Sequence, residues 1–200
     1  VGQPFDPTTT TWQNRCAPSA GQFGCYDFHV AYNAANNNYV AWVNDTTAPA
    51  SYRVLVSTSP EGPFVEQTAP NMNGNAYAAP GAFTGDEDIY VDDSGNGWLV
   101  FPAKNTGGSW EEIVIAELNA DYTDITTNVT LFSISRKEAV SIFKNGSTYF
   151  LTYGPQCGFC SGGAATQYAT SSSLPGTWTD QGTINANSCS GQPDRVNTLM

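Results

Sequence analysis

Short apolar bursts separated by polar, turn-forming residues run along this chain, and three of its stretches share one pattern. His29-Val-Ala-Tyr-Asn33 leads into Asn38-Tyr-Val-Ala-Trp-Val43, Asp88-Ile-Tyr-Val-Asp-Asp-Ser-Gly95 into Gly97-Trp-Leu-Val-Phe101, and Ala139-Val-Ser-Ile-Phe-Lys-Asn-Gly146 into Thr148-Tyr-Phe-Leu-Thr-Tyr153. Each reads as strand, polar turn, strand. The turns carry Asn-Asn-Asn, Asp-Asp-Ser-Gly and Lys-Asn-Gly, residues that tolerate a positive φ and close tight hairpins between β-branched and aromatic segments. Antiparallel hairpins are therefore predicted over residues 29–43, 88–101 and 139–153.

A second unit follows each hairpin. Residues 52–64 and 167–178 share a strand, a Thr-Ser turn or its Ser-rich equivalent, a Gly and an aromatic, and residues 113–122 fill the same slot in the middle repeat. Tyr39, Trp98 and Tyr149 hold equivalent places, 59 and then 51 residues apart. Four short strands recurring at about this interval are the period of a propeller blade. The fold expected is all-β, a β-propeller of four-stranded antiparallel blades. A β-sandwich is the alternative, but sandwiches do not usually repeat their turn chemistry at such an interval. Propellers close with four or more blades, whereas three complete units are visible here, with residues 1–24 and 190–200 as flanking pieces. The expectation is one domain over residues 1–200, its ring completed by a missing segment or a partner chain.

Composition narrows the function classes. Of 200 residues, 12% are charged, about half the ~25% usual in soluble proteins, while 19 Gly, 12 Pro and 12% aromatics give a turn-rich, extracellular profile. Seven Lys and Arg against 18 Asp and Glu leave a net charge of −11, so nucleic acid and anionic membrane surfaces are repelled. Apolar runs end after four or five residues, far short of the ~20 that a spanning helix needs. The chain opens on Val1 with no charged and apolar leader and is read as a mature form.

Five cysteines (16, 25, 157, 160 and 189) and three Asn-x-Ser/Thr sequons at Asn44, Asn128 and Asn145 fit secretion through an oxidising, glycosylating route. Cys157-Gly-Phe-Cys160 lies in a Gly/Ser-rich loop with no helix signal after it, unlike a thioredoxin-type site. Proximity favours a Cys16–Cys25 bridge, with Cys189 joined to Cys157 or Cys160. A zinc site would need further ligands that a single His cannot supply, and neither metal nor cofactor is expected.

The innermost strand of each propeller blade lines the channel, so residues at the start of each repeat's first strand converge at one mouth. Those positions hold Asp27 and His29, then Asp86, Glu87 and Asp88, then Glu138. Carboxylates from adjacent blades on a funnel floor are what glycosidic cleavage requires: a protonated acid for the leaving oxygen, and a second group that handles water or tunes the acid. Asp92 and Asp93 read as turn residues. Trp98 and Tyr153 fit the core, and Trp110 is a candidate for stacking on a pyranose.

The segments Asp86-Glu-Asp-Ile-Tyr-Val-Asp-Asp-Ser-Gly95, Arg136-Lys-Glu-Ala-Val-Ser-Ile-Phe-Lys-Asn-Gly-Ser-Thr-Tyr-Phe150 and Ser171-Ser-Ser-Leu-Pro-Gly-Thr-Trp178 resemble glycoside hydrolase family 43, in its exo-β-1,3-galactanase-like branch. The likeness runs from about residue 29 to residue 198. It implies a five-bladed propeller and an inverting enzyme acting on plant polysaccharides. Carried over, the aspartate that modulates the acid falls on Asp86, the general acid on Glu138, and the glutamine that orients the attacking water, through an imidic-acid tautomer, on Gln192 in Ser190-Gly-Gln-Pro193. These positions are 52 and 54 residues apart, about one blade each.

Two departures stand out. Tyr26-Asp-Phe-His29 replaces the branch's Glu-Arg-Pro, leaving Asp27 as the nearest substitute for a substrate-contacting Glu, with His29 a candidate contact to a sugar hydroxyl. Glu138-Ala-Val140 replaces Glu-Ala-Pro. The expected activity is exo-cleavage of β-linked galactan or a related polysaccharide. The alternative is a catalytically inactive propeller that binds glycans.

Overall fold

The structure, a computed structural model, describes residues 25–45, 51–72, 85–104, 110–155 and 165–184. Its strands form three four-stranded antiparallel sheets. The first runs β1 (Cys25–Asn33), β2 (Asn38–Asp45), β3 (Ser51–Ser57) and β4 (Val65–Glu66). The second is β5 (Asp88–Val91), β6 (Gly97–Lys104), β7 (Trp110–Leu118) and β8 (Ile125–Ser133). The third is β9 (Lys137–Asn145), β10 (Thr148–Pro155), β11 (Gln167–Ser171) and β12 (Thr179–Thr183). Each is an up-and-down meander, and the three predicted hairpins are the first two strands of successive sheets. The first strands pack side by side, β1 on β5 and β5 on β9, the arrangement of inner strands in a partial propeller. Among the described residues no helix is long and apolar enough to cross a membrane.

Turn chemistry explains where the hairpins close. Asn33 Oδ1 accepts the backbone N–H groups of Ala35 and Asn36 at 3.1 and 3.2 Å. Asp92 Oδ1 accepts those of Ser94 and Asn96, both at 2.9 Å, while its Oδ2 accepts Asn96 Nδ2 and Trp98 Nε1. Side chains that bond their own backbone two or more residues on substitute for ladder bonds and fix the reversal. Gly95, at φ +83°, supplies the left-handed step that the second of these turns needs.

Two apolar layers separate the sheets. Trp42, Tyr52, Val54, Leu99, Phe101, Val114 and Ala116 fill the space between the first and second. Trp98, Val100, Ile113, Ile115, Ile142, Leu151 and Tyr153 fill that between the second and third. Trp98 and Tyr153 are thus core residues, as their strand patterns predict. The middle sheet is covered on both faces, so β6 reads as an unbroken apolar run rather than an alternation. Each fully buried large side chain contributes about 1.5–3 kcal/mol. Polar tips are satisfied across the first layer: Trp42 Nε1 donates to the Tyr122 carbonyl and Tyr52 Oη to that of Gly85, at 2.8 and 2.7 Å.

Cys25 is disulfide-bonded. Cys16, Cys157, Cys160 and Cys189 lie outside the described residues, and so do both expected pairings.

Candidate active site

A line of buried polar side chains crosses the three inner strands, and its centre is Asp88 at the start of β5. Asp88 Oδ2 accepts hydrogen bonds from Ser141 Oγ at 2.9 Å and from the Ile142 backbone N–H at 3.0 Å, both on β9. Its Oδ1 lies 3.5 Å from Nδ1 of His29 on β1. Asp88, Ser141 and His29 are all buried. One carboxylate therefore ties β5 to β9 by two hydrogen bonds and lies beside His29 of β1. Sequence reasoning had no sign of this clamp beyond a polar residue at the head of an apolar strand.

The inner strands also run in the same direction. Downstream of the clamp, Tyr90 meets Tyr149 edge to face and Lys144 pairs with Asp93. Upstream, Asp27 precedes His29 by two residues, Asp86 precedes Asp88 by two, and Glu138 precedes Ser141 by three. At about 3.3 Å per residue, these acids occupy the same end of their strands.

That end is where the inner strands lose regularity. Asp27 has φ +44° at the register shift between Tyr26 and Phe28. Glu138 is paired with Gly154 beyond a shift in β9–β10 pairing and sits between Arg136 (φ +59°) and Ala139 (φ +55°). Left-handed backbone costs roughly 1–2 kcal/mol for a residue with a Cβ. Bulges re-aim side chains and concentrate beside functional sites. Here they occur in two inner strands, each at a carboxylate picked out from the sequence.

Glu87, between Asp86 and Asp88 where the chain enters β5, is fully buried, and among the described residues neither of its carboxyl oxygens meets a hydrogen-bonding partner beyond its own backbone. Burial pushes its pKa well above the ordinary carboxylate value. The charge of Asp27 adds to this, a backbone hydrogen bond opposes it, and Asp86 and Asp88 raise it further. Crowded carboxylates resist ionising together, and Glu87, with its pKa raised first by burial, is the one held furthest towards its protonated form. The arrangement thus gathers Asp27, Asp86, Glu87 and Asp88 from two inner strands, with Glu138 heading the third.

Other expectations resolve differently. Asp92 is the turn residue it was read to be. His29 is packed inside against Asp88. Trp110 opens β7, but its side chain lies outside the described part, and Gln192 lies outside the described residues altogether. Among the described residues no group of three or more His, Cys, Asp or Glu is arranged to hold a metal ion. A cavity of about 570 Å³ lies at the hairpin-turn end, lined by Asn33, Asn96, Glu117, Asn119, Tyr122 and Asn128 among others. None of the acids at the mouth borders it.

The sequence matches the family described as "Glycosyl hydrolases family 43" over residues 6–195. Among solved structures, it is similar to an exo-β-1,3-galactanase from Clostridium thermocellum (TM-score 0.71, 21% identity, 96% of this chain and 44% of that one). A family 43 β-1,3-galactosidase bound to galactodeoxynojirimycin gives a TM-score of 0.66 at 21% identity, over 84% of this chain and 61% of its own. The exo-β-1,3-galactanase from Phanerochaete chrysosporium with β-1,3-galactotriose gives 0.64 at 24%, over 82% and 38%. This chain spans about two fifths to three fifths of these structures' lengths. A comparison with curated proteins found no match.

Proposed function

Because the chain belongs to glycosyl hydrolases family 43, we propose that it cleaves β-linked galactan or a related plant polysaccharide from the chain end with inversion. Glu138 gives its proton to the leaving oxygen as the bond from that oxygen to the anomeric carbon breaks. Water adds to the opposite face, oriented by Gln192, whose imidic form takes the water's proton on nitrogen. Asp86 modulates the acid, Asp27 contributes to the sugar-binding wall with His29 packed behind it against Asp88, and Trp110 offers a stacking surface.

The observation that carries this reading is the common end shared by Asp27, Asp86 and Glu138 on clamped inner strands, with bulges at two of them. The substrate class follows from the galactan-active proteins of similar fold. The five cysteines and three sequons support secretion, a disulfide-stapled chain and glycosylation, and the arc of three sheets among the described residues supports a further segment or partner that closes the ring. The experiment is release of sugar from a polysaccharide panel, with the first-formed anomer read by NMR: inversion of a β-link gives the α-anomer. A β-anomer released first excludes the mechanism.

A second reading, glycan binding without turnover, draws on Tyr26-Asp-Phe-His29. There, a buried His29 turned towards Asp88 stands near the position of a substrate-contacting Glu. Retention on the same polymers with no release supports it.

A further inference from the structure

The three sequons fall in three different settings, and we propose that Asn145 and Asn128 carry N-linked glycans while Asn44 does not, the Asn128 glycan shielding the outer edge of the second sheet. This inference depends on passage through a glycosylating secretory route and not on the hydrolase reading.

Asn145 ends β9, and with Gly146 and Ser147 it forms the exposed tip of the β9–β10 hairpin. Among the described residues its side-chain amide makes no hydrogen bond that a glycan would disturb. Seven residues separate it from Glu138 along β9, about 23 Å at 3.3 Å per residue, so a glycan there projects away from the mouth.

Asn128 is exposed in the middle of β8, with Thr130 as the sequon hydroxyl. Its Nδ2 donates to Glu117 Oε2 at 2.8 Å. A glycosylated amide keeps one N–H, so that bond can persist. Among the described residues β8 is the last strand of its sheet, and its nine residues, Ile125–Ser133, contain no charge and no proline, with Leu131 exposed. Long, uncharged, β-branched edges recruit other strands. The other outer strands are guarded by other means: β4 has two residues, and β12 carries Asp180 and Gly182. A bulky, hydrated oligosaccharide at the centre of β8 supplies what its sequence lacks.

Asn44 is 3% exposed and sits in β2 between Tyr26 of β1 and Tyr52 of β3. A sugar on its amide would have to be buried or would force β2 out of the sheet.

In each transfer the asparagine amide nitrogen displaces the lipid diphosphate from the anomeric carbon of a lipid-linked oligosaccharide. One N–C bond forms, one C–O bond breaks, the amide loses a proton and nothing is oxidised. The test is expression in a secretory eukaryotic host, with secreted and cell-retained fractions both digested by peptide N-glycosidase in ¹⁸O-water and mapped by mass spectrometry. Label is expected at residues 128 and 145 and not at 44. Light scattering of the purified protein should show N145Q monodisperse, with N128Q and T130A, which removes the sequon but keeps the asparagine, forming higher oligomers. Label at residue 44, or none at 128 or 145, overturns the site assignment. Monodisperse N128Q and T130A overturn the shielding role.

Discussion

Replacing Asp88 by alanine removes the acceptor for two buried donors at once. Ser141 Oγ and the Ile142 N–H each lose a charge-assisted partner, and a buried donor left unmet costs about 1–3 kcal/mol. D88A should therefore lose roughly 2–6 kcal/mol. At about 2–4 °C per kcal/mol for a chain of this size, the melting temperature falls by at least ~4 °C. D88N keeps a carbonyl oxygen but no charge. It exchanges two bonds of about 1.5–3 kcal/mol for two of about 0.5–1.5, a loss of roughly 2 kcal/mol. The assay is denaturant unfolding of the parent, D88A, S141A and the double variant, since a pair in contact should show a coupling energy of about 0.5–3 kcal/mol. If D88A unfolds within ~0.5 kcal/mol of its parent, or the two substitutions add without coupling, Asp88 does not clamp β5 to β9 and the stagger of these two strands loses its cause.

Three further outcomes follow from named contacts. With its pKa raised in the folded state, Glu87 contributes stability that is fully present below its unfolded pKa of about 4.5 and is lost as pH rises through the folded value. E87Q should match its parent in acid and exceed it progressively at higher pH, and parallel pH–stability curves would refute this. Asp180, held below the ordinary carboxylate value first by the Tyr153 hydroxyl and then by the Gly182 N–H, has the opposite sign. Its contribution is present above the unfolded pKa and lost as pH falls through the folded one, so Y153F should weaken the acid dependence of melting. At Gly97 a Cβ would stand 2.9 Å from Cδ1 of Tyr122 and 3.1 Å from Cδ1 of Leu118, and G97A should cost about 1–3 kcal/mol by overpacking, read as a lower denaturation midpoint.

The hairpins were legible because each combines two local signals, apolar strands and a turn residue suited to the reversal: Asn33 and Asp92 bond their own backbone, and Gly146 takes a positive φ of +60°. Asp92 illustrates this: its role needs only Ser94, Asn96 and Trp98, all within six residues. Runs such as residues 98–101 were legible as strands but hid their two faces, because packing between neighbouring sheets erases alternation. The clamp was illegible. Asp88 and Ser141 are 53 residues apart, and no local pattern distinguishes an aspartate that ties strands together from one that faces solvent. The same holds for Glu87, whose pKa is raised first by burial under the neighbouring sheets and then by the charge of Asp27 from another sheet. Asp27 and Glu138 were found as acids at strand starts, but the left-handed residues at and beside them cannot be anticipated where neither Gly nor Asn marks the position. Gln192 was reached through motif resemblance alone.

The account turns on Glu138 as the proton donor. Glutamine at this position keeps the size and polarity of the side chain and removes only the transferable proton, so the decisive measurement is turnover of a β-1,3-linked galactan by E138Q beside its affinity for the same polymer. A fall of at least ~10²-fold in kcat with binding retained is the predicted result. An E138Q protein as active as its parent contradicts the assignment.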